Sequence, residues 1–202
     1  MKLTVTRGRT GEYEDENRNR FFSVSEHLAI LDPFAFSGVP PAVLAAAGMR
    51  GEKLHLYFAQ MLFHVAGLDG CLWPTRPPGM LGLYFDSMAR WVESRKPQPR
   101  KVEQKSLNVK IRTAGQPDTE CLLDSEVCLI DLKTGLPRPV HSVQLHAYKR
   151  LDGYGESKRL FSLYAKKNGE MAQLIEHTHD HSDWSGFMAA NAVLSWRMLR
   201  HV

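Results

Sequence analysis

Several things are missing from this chain, and each absence narrows what it can be. No apolar run approaches the roughly 20 residues that span a bilayer, so no membrane-spanning helix and no membrane partner is expected. The first residues, Met1 to Arg7, lack the apolar core of a secretion signal, which makes the cytoplasm the expected compartment. Cysteine is scarce: only Cys71, Cys121 and Cys128 occur. An odd, sparse count argues against a disulfide framework. Without a Cys-x-x-Cys pair there is also no spacing for zinc or an iron–sulfur cluster. No internal repeat and no low-complexity segment interrupts the chain.

What is present is ordinary globular material. The 202 residues suit one domain, 1–202, whose first 20 residues are expected to be partly flexible. With 43% hydrophobic and 24% charged residues the chain can bury a core without staples, which sets aside disordered and fibrous classes. A net charge of +4 permits an anionic partner without requiring one.

Periodicity supplies the elements. Arg7 to Arg20 is polar and predicts a loop after a short first strand. Ser23 or Ser25 caps a helix. Pro41 opens a next helix through Ala47, which Gly48 and Gly51 interrupt. A second helix from near Gly51 carries the stripe Leu54, Tyr57, Phe58, Met61, Leu62 and Val65. Another stripe runs from Leu81 to Val92. The basic, proline-containing stretch Arg95 to Arg100 predicts a linker. From Lys101 the period changes: Val102 to Ile111 suggests one strand, and Thr119–Leu123 and Glu126–Leu132 two more. Pro139 opens a helix with Val143, Gln144, Ala147 and Tyr148 on one face. Asn168-Gly169 turns a hairpin between Leu160–Ala165 and Met171–Ile175. A last helix starts near Asp183, with Trp184, Phe187 and Trp196 expected in the core. The order predicts an α/β or α+β fold with a mixed central sheet flanked by helices.

Chemistry concentrates around residues 115–135. If Asp124 and Ser125 are the two turn residues of a hairpin, Leu123 faces Glu126 and Asp118 faces Asp131. Directly opposed residues share a face about 4.5–5.5 Å apart. Lys133, two residues beyond Asp131, points the same way. Opposed carboxylates repel, and a hard divalent cation relieves that repulsion, since Mg²⁺ is held by one or two carboxylates plus waters and phosphates. A neighbouring lysine then stabilises phosphate charge or orients water. On geometry alone a second reading stands beside this one: Asp118 caps a turn and Asp131 to Lys133 is a solvated strand end.

The wider pattern distinguishes the two. Gly115-Gln116-Pro117-Asp118, then Ile130-Asp131-Leu132-Lys133-Thr134-Gly135, then Gln144 and Tyr148, and upstream Arg50-Gly51-Glu52-Lys53-Leu54-His55, occur in order. This set resembles the PD-(D/E)xK nuclease superfamily, above all its RecB-type and phage exonuclease-like branch. The resemblance spans roughly residues 21 to 200 and implies a restriction-endonuclease-like core. It implies metal ligands at His55, Asp118, Asp131 and the Leu132 carbonyl, with Mg²⁺ or Mn²⁺ as the cofactor. Lys133 is then the catalytic lysine, and Gln144 and Tyr148 contact DNA or order the active-site face. The implied function is a metal-dependent deoxyribonuclease, an exonuclease in repair, recombination or a phage life cycle. The partner is DNA, and a homo-oligomer or a recombination partner protein is compatible with the branch. Alternatives in view are an RNA-directed or structure-specific endonuclease of the same fold and a catalytically silent nucleic-acid-binding module.

Other candidates have plainer expectations. Glu103 orients a ligand or faces water, and Glu120, on the same expected face as Asp118, reaches a second metal or, as the plainer expectation, faces solvent. The run His177-Thr178-His179-Asp180-His181 is a solvated loop. Cys121 and Cys128 pair in register as buried thiols, as expected in a reducing compartment. Arg95, Lys96, Arg100 and Lys101 either track a phosphate backbone or form a basic linker.

Overall fold

A computed structural model describes residues 3–6, 12–178 and 181–200. The fold is α+β, with a mixed sheet covered by helices on both faces. Its strands are β4 (Gln98–Val102), β7 (Thr119–Leu123), β8 (Glu126–Lys133), β9 (Arg159–Tyr164) and β10 (Gln173–His177). They run in the order β10-β9-β8-β7-β4. Only β8 and β9 are parallel in this sheet. Helix α4 (Pro139–Lys149) is the crossover such a pair needs.

Strand parity sends alternate residues of β8 into two cores. Cys128, Ile130 and Leu132 face one side, where Leu54, Phe58, Met88 and Trp91 pack on them from α2 (Pro41–Val65) and α3 (Gly79–Arg95). Leu129 faces the other side, against α1 (Val24–Leu31), α4 and α5 (His181–Arg200), through Val24, Leu145, Ala147 and Phe187. Burying each large apolar side chain contributes about 1.5–3 kcal/mol. Asp131 and Lys133 share the parity of Leu129, so they emerge on the α4 side where β8 ends.

A second sheet has the order β1-β2-β3-β6-β5, from β1 (Leu3–Thr6), β2 (Glu12–Asp15), β3 (Arg20–Ser23), β6 (Thr113–Gly115) and β5 (Ser106–Asn108). The short first strand expected from the sequence is β1, but the sheet it belongs to was not anticipated. The polar segment expected as a loop contains β2 and the first residue of β3, while residues 7–11 lie outside the described part. Alternation in β3 is masked by Phe21 and Phe22, which are both buried. Ser23 ends β3 and caps α1: its Oγ accepts from Glu26 N at 3.1 Å, and Glu26 accepts from Ser23 N at 2.7 Å.

Four further expectations are corrected. The helix from Pro41 does not stop at Gly48, because α2 is one helix of 25 residues. A helical glycine costs about 1 kcal/mol against alanine, and burial of Leu54, Phe58, Met61 and Leu62 further along outweighs it. The stretch 95–100 is not a linker: Lys96 closes α3 in a left-handed conformation and β4 begins at Gln98. Pro99 is tolerated there because β4 is an edge strand with a register shift between Pro99 and Lys101. The single strand expected over 102–111 is broken at Glu103, at positive φ, into the end of β4 and then β5, and gives way from residue 109 to a turn that Arg112, also at positive φ, closes before β6. Trp196 is not core, being 59% exposed, although Phe187 is fully buried. No helix among the described residues is long and apolar enough to cross a membrane.

Candidate active site

The β7–β8 hairpin sets the site. Asp124 and Ser125 both have positive φ, 51° and 66°, as a two-residue type I′ turn requires. The ladder runs from Leu123↔Glu126 to Thr119↔Ile130, and one further step sets Asp118 opposite Asp131. Both carboxylates are buried, at 5% and 3% exposure. On the other side of β7, Val102 pairs with Thr119, and Glu103 N donates to Asp118 O at 2.9 Å. Three neighbouring strand ends therefore deliver Glu103, Asp118 and Asp131 to one place.

His55 arrives from α2, one residue after the fully buried Leu54 that anchors this turn of helix. Its Nδ1 lies 2.8 Å from Asp118 Oδ1. The second oxygen, Asp118 Oδ2, accepts from the Leu132 N–H at 2.5 Å. In an extended strand a residue's N–H and C=O project to the same side, so the Leu132 carbonyl is also directed toward the β7 side where Asp118 stands. Lys133 forms an ion pair with Asp131 and donates to Gln144 Oε1 at 2.5 Å. Gln144 in turn donates to the Tyr148 hydroxyl at 3.0 Å. Gln144 and Tyr148, four residues apart on α4, thus act on one face and bear on Lys133.

The electrostatics follow from crowding three carboxylates in a partly dry place. Burial alone would lower the His55 pKa. Asp118, by charge and hydrogen bond, with Asp131 and Glu103 behind it, outweighs burial and lifts it to about 9. Burial and then the Asp118 charge push the Glu103 carboxyl up to about 7, against a hydrogen bond from Gln116 Nε2. Burial also raises Asp131, which Lys133 pulls back down. The Tyr148 hydroxyl is raised well above its ordinary value by burial and by Asp131, so it serves as a neutral group.

One ligand atom each from His55, Glu103 and Asp118 falls within 4.8 Å of the others, a spacing suited to one cation. Asp131 Oδ2 is buried without a hydrogen bond, with the Lys133 ammonium as its ion-pair partner. These donors fit a hard or borderline divalent ion, and such an ion would take the place of the proton that the carboxylates hold on His55. The site opens to an adjoining cleft of about 790 Å³, lined also by Gly51, Leu56, Gln60 and Phe63.

All seven residues singled out from sequence, His55, Asp118, Asp131, Leu132, Lys133, Gln144 and Tyr148, meet in this one cluster. Glu103 and Gln116 join them. Glu103 was readable as the residue one step past Val102 on the β4 ladder, but the register shift in β4 and its own φ of 49° conceal that step. Glu120 does not face solvent: it is fully buried, paired with Lys101 at 3.0 Å and accepting from Ser157 Oγ at 2.8 Å. Three of the four cations proposed to track phosphates are engaged elsewhere, Arg95 with Asp124, Arg100 with Glu156 and Lys101 with Glu120. His177 is not in a loop but on β10, its Nε2 2.9 Å from Ser162 Oγ. His179 and Asp180 lie outside the described residues. Cys121 and Cys128 face each other in register as buried free thiols, and burial pushes Cys121 up to about 12.

No family model and no curated protein matches the chain. Among solved structures, one titled "Crystal structure of SSO0001" aligns over 90% of this chain and 78% of that chain, with 16% identity and a TM-score of 0.43.

Proposed function

We propose that this chain is a metal-dependent nuclease that hydrolyses DNA phosphodiester bonds. The observation that carries the reading is the His55–Glu103–Asp118 cluster standing beside the Asp131–Lys133 pair at the mouth of one cleft. Three carboxylates against one ammonium and one imidazole leave the cluster short of positive charge, and a divalent cation supplies it. His55, Glu103 and Asp118 would hold that ion, with Asp131 and the Leu132 carbonyl beside it. Such an ion supplies Lewis acidity toward the phosphodiester and favours a nucleophilic water near neutral pH.

The remaining work falls to this chain's own groups. Lys133 brings a fixed positive charge to the phosphate oxygens, where negative charge grows in the transition state. Gln144, held by Tyr148, shares that ammonium with Asp131 and fixes its direction. The Leu132 N–H fixes one oxygen of Asp118, which leaves the orientation of the carboxylate settled before substrate arrives. Preorganisation of this kind avoids reorienting dipoles during the reaction.

The test is incubation with end-labelled linear DNA and closed circular DNA, in Mg²⁺, in Mn²⁺ and with chelator. The reading expects scission that needs the metal and is lost with chelator. Loss of linear label with intact circles identifies an exonuclease, and nicked circles an endonuclease. Binding of DNA without scission in either metal identifies the silent module instead.

A further inference from the structure

The active-site cleft has a neighbour. Beyond Lys133 and Gln144, which line both, a second groove of about 670 Å³ opens between α1, the start of α4 and the turns at 33–38. Two phenyl rings border it, Phe34 at 79% and Phe36 at 56% exposure. From residue 33 to residue 49 the chain has no Asp, Glu, Lys or Arg, so no charged side chain of this segment itself shields the rings.

The groove is not simply apolar. Arg138 lines it, tied to Asp32, with its guanidinium 5.2 Å from the Phe36 ring centroid. Lys133 stands at the junction with the active site. Asp32 is the one carboxylate among the lining residues, and Arg138 already occupies it. Two exposed aromatic rings in one groove with two cations suit a single nucleic-acid strand, whose bases stack while its phosphates meet the positive charge. Paired bases in a duplex have their faces covered by their neighbours, so the occupant that matches is unpaired.

We propose that this groove is a base-stacking subsite. It seats unpaired nucleotides flanking the phosphodiester that lies over Asp118 and Asp131, with bases against Phe34 and Phe36 and a phosphate facing Arg138 and Lys133. The placement of the strand rests on the nuclease reading, because Lys133 and Gln144 form the wall common to both spaces.

The experiment measures fluorescence anisotropy of a labelled oligothymidylate and of a blunt duplex of the same length, with the full chain in chelator. The variants are Phe34→Ala, Phe34→Ala/Phe36→Ala and Phe36→Trp. The double variant should bind the oligothymidylate about tenfold or more weakly, the size of a lost base–aromatic stack, with duplex affinity unchanged. Phe34→Ala alone should lose part of that affinity, which keeps the test decisive should the double variant not fold. Phe36→Trp should retain affinity and show tryptophan quenching on binding. Equal oligothymidylate affinity in parent and alanine variants overturns the proposal. So does a change of sedimentation behaviour with unchanged affinity, since the rings would then be a protein contact. Stacking without any DNA scission in Mg²⁺ or Mn²⁺ would sink the nuclease reading and leave the subsite standing. Scission that the alanine variants perform as the parent does would sink the subsite and leave the nuclease reading standing.

Discussion

Gly115 shows how much of the site depends on one absent side chain. A Cβ built there would stand 2.7 Å from Tyr148 Cε1 and 3.2 Å from Val24 Cγ2. The Tyr148 ring is buried and cannot swing away, so the close approach of strand and ring is possible only at glycine. Tyr148 holds Gln144, and Gln144 holds Lys133. Gly115→Ala should therefore displace the ring and loosen the lysine. The expected outcome is a loss of about 1–3 kcal/mol of stability in denaturant melts, as for other overpacked sites. Single-turnover cleavage should fall as well, with metal affinity nearly kept. Unchanged cleavage in a folded variant would break the link from Gly115 to Lys133. At this scale much was legible: Asp118, Asp131 and Lys133 follow from counting outward along a hairpin whose turn residues could be named. Glu103 was legible only as a choice between orienting a ligand and facing water, because a register shift and a positive φ interrupt the count on the neighbouring strand, and Gln116 was not singled out.

Among the elements, α1 carries one wall of the second groove and is fixed at its start by Ser23 and Glu26. Their reciprocal bonds satisfy two backbone N–H groups, and Arg20 holds Glu26 in place at 2.8 Å. Ser23→Ala should cost about 1 kcal/mol, the usual worth of such a cap, and lower Tm by about 2–4 °C in a chain of this size. A Tm equal to the parent's would show that packing of His27 against Phe187 and Asn191, and not the cap, sets the helix start. Helices that bury one face announced themselves by period, as α3 and α4 did, while β7 and β8, buried on both faces, were marked by the turn residues between them. Those that failed to do so have local reasons. The first half of α2 is largely exposed and glycine-containing, so it has no stripe to read. The strands β2, β5 and β6 have three or four residues each, too few for alternation to rise above chance.

At the scale of the whole molecule, the two sheets and five helices among the described residues bring groups from distant parts of the chain to the rim of one sheet, and this long-range assembly is what a linear pattern conveys least. His141 illustrates it. Burial, then Lys133 from β8 and Arg138 from the loop before α4, and His177 from β10, lower its pKa from 6.5 to about 3. Its Nδ1 meets the Tyr164 hydroxyl of β9 at 2.8 Å. Between pH about 6.5 and about 3 the unfolded chain binds a proton at this position that the folded chain does not. Stability therefore falls as pH drops through that window. His141→Gln should lose Tm less steeply than the parent between neutral pH and pH about 4, and parallel slopes would show that His141 is not responsible. Nuclease activity is tested by single-turnover cleavage of end-labelled DNA by the parent and by Lys133→Ala, in Mg²⁺ and in chelator. The parent should cut in Mg²⁺ and not in chelator, and Lys133→Ala at a rate about 10²–10³ lower, the loss expected for one preorganised charge at the reacting group. Scission by Lys133→Ala at the parental rate, or none by the parent in Mg²⁺, would contradict that expectation.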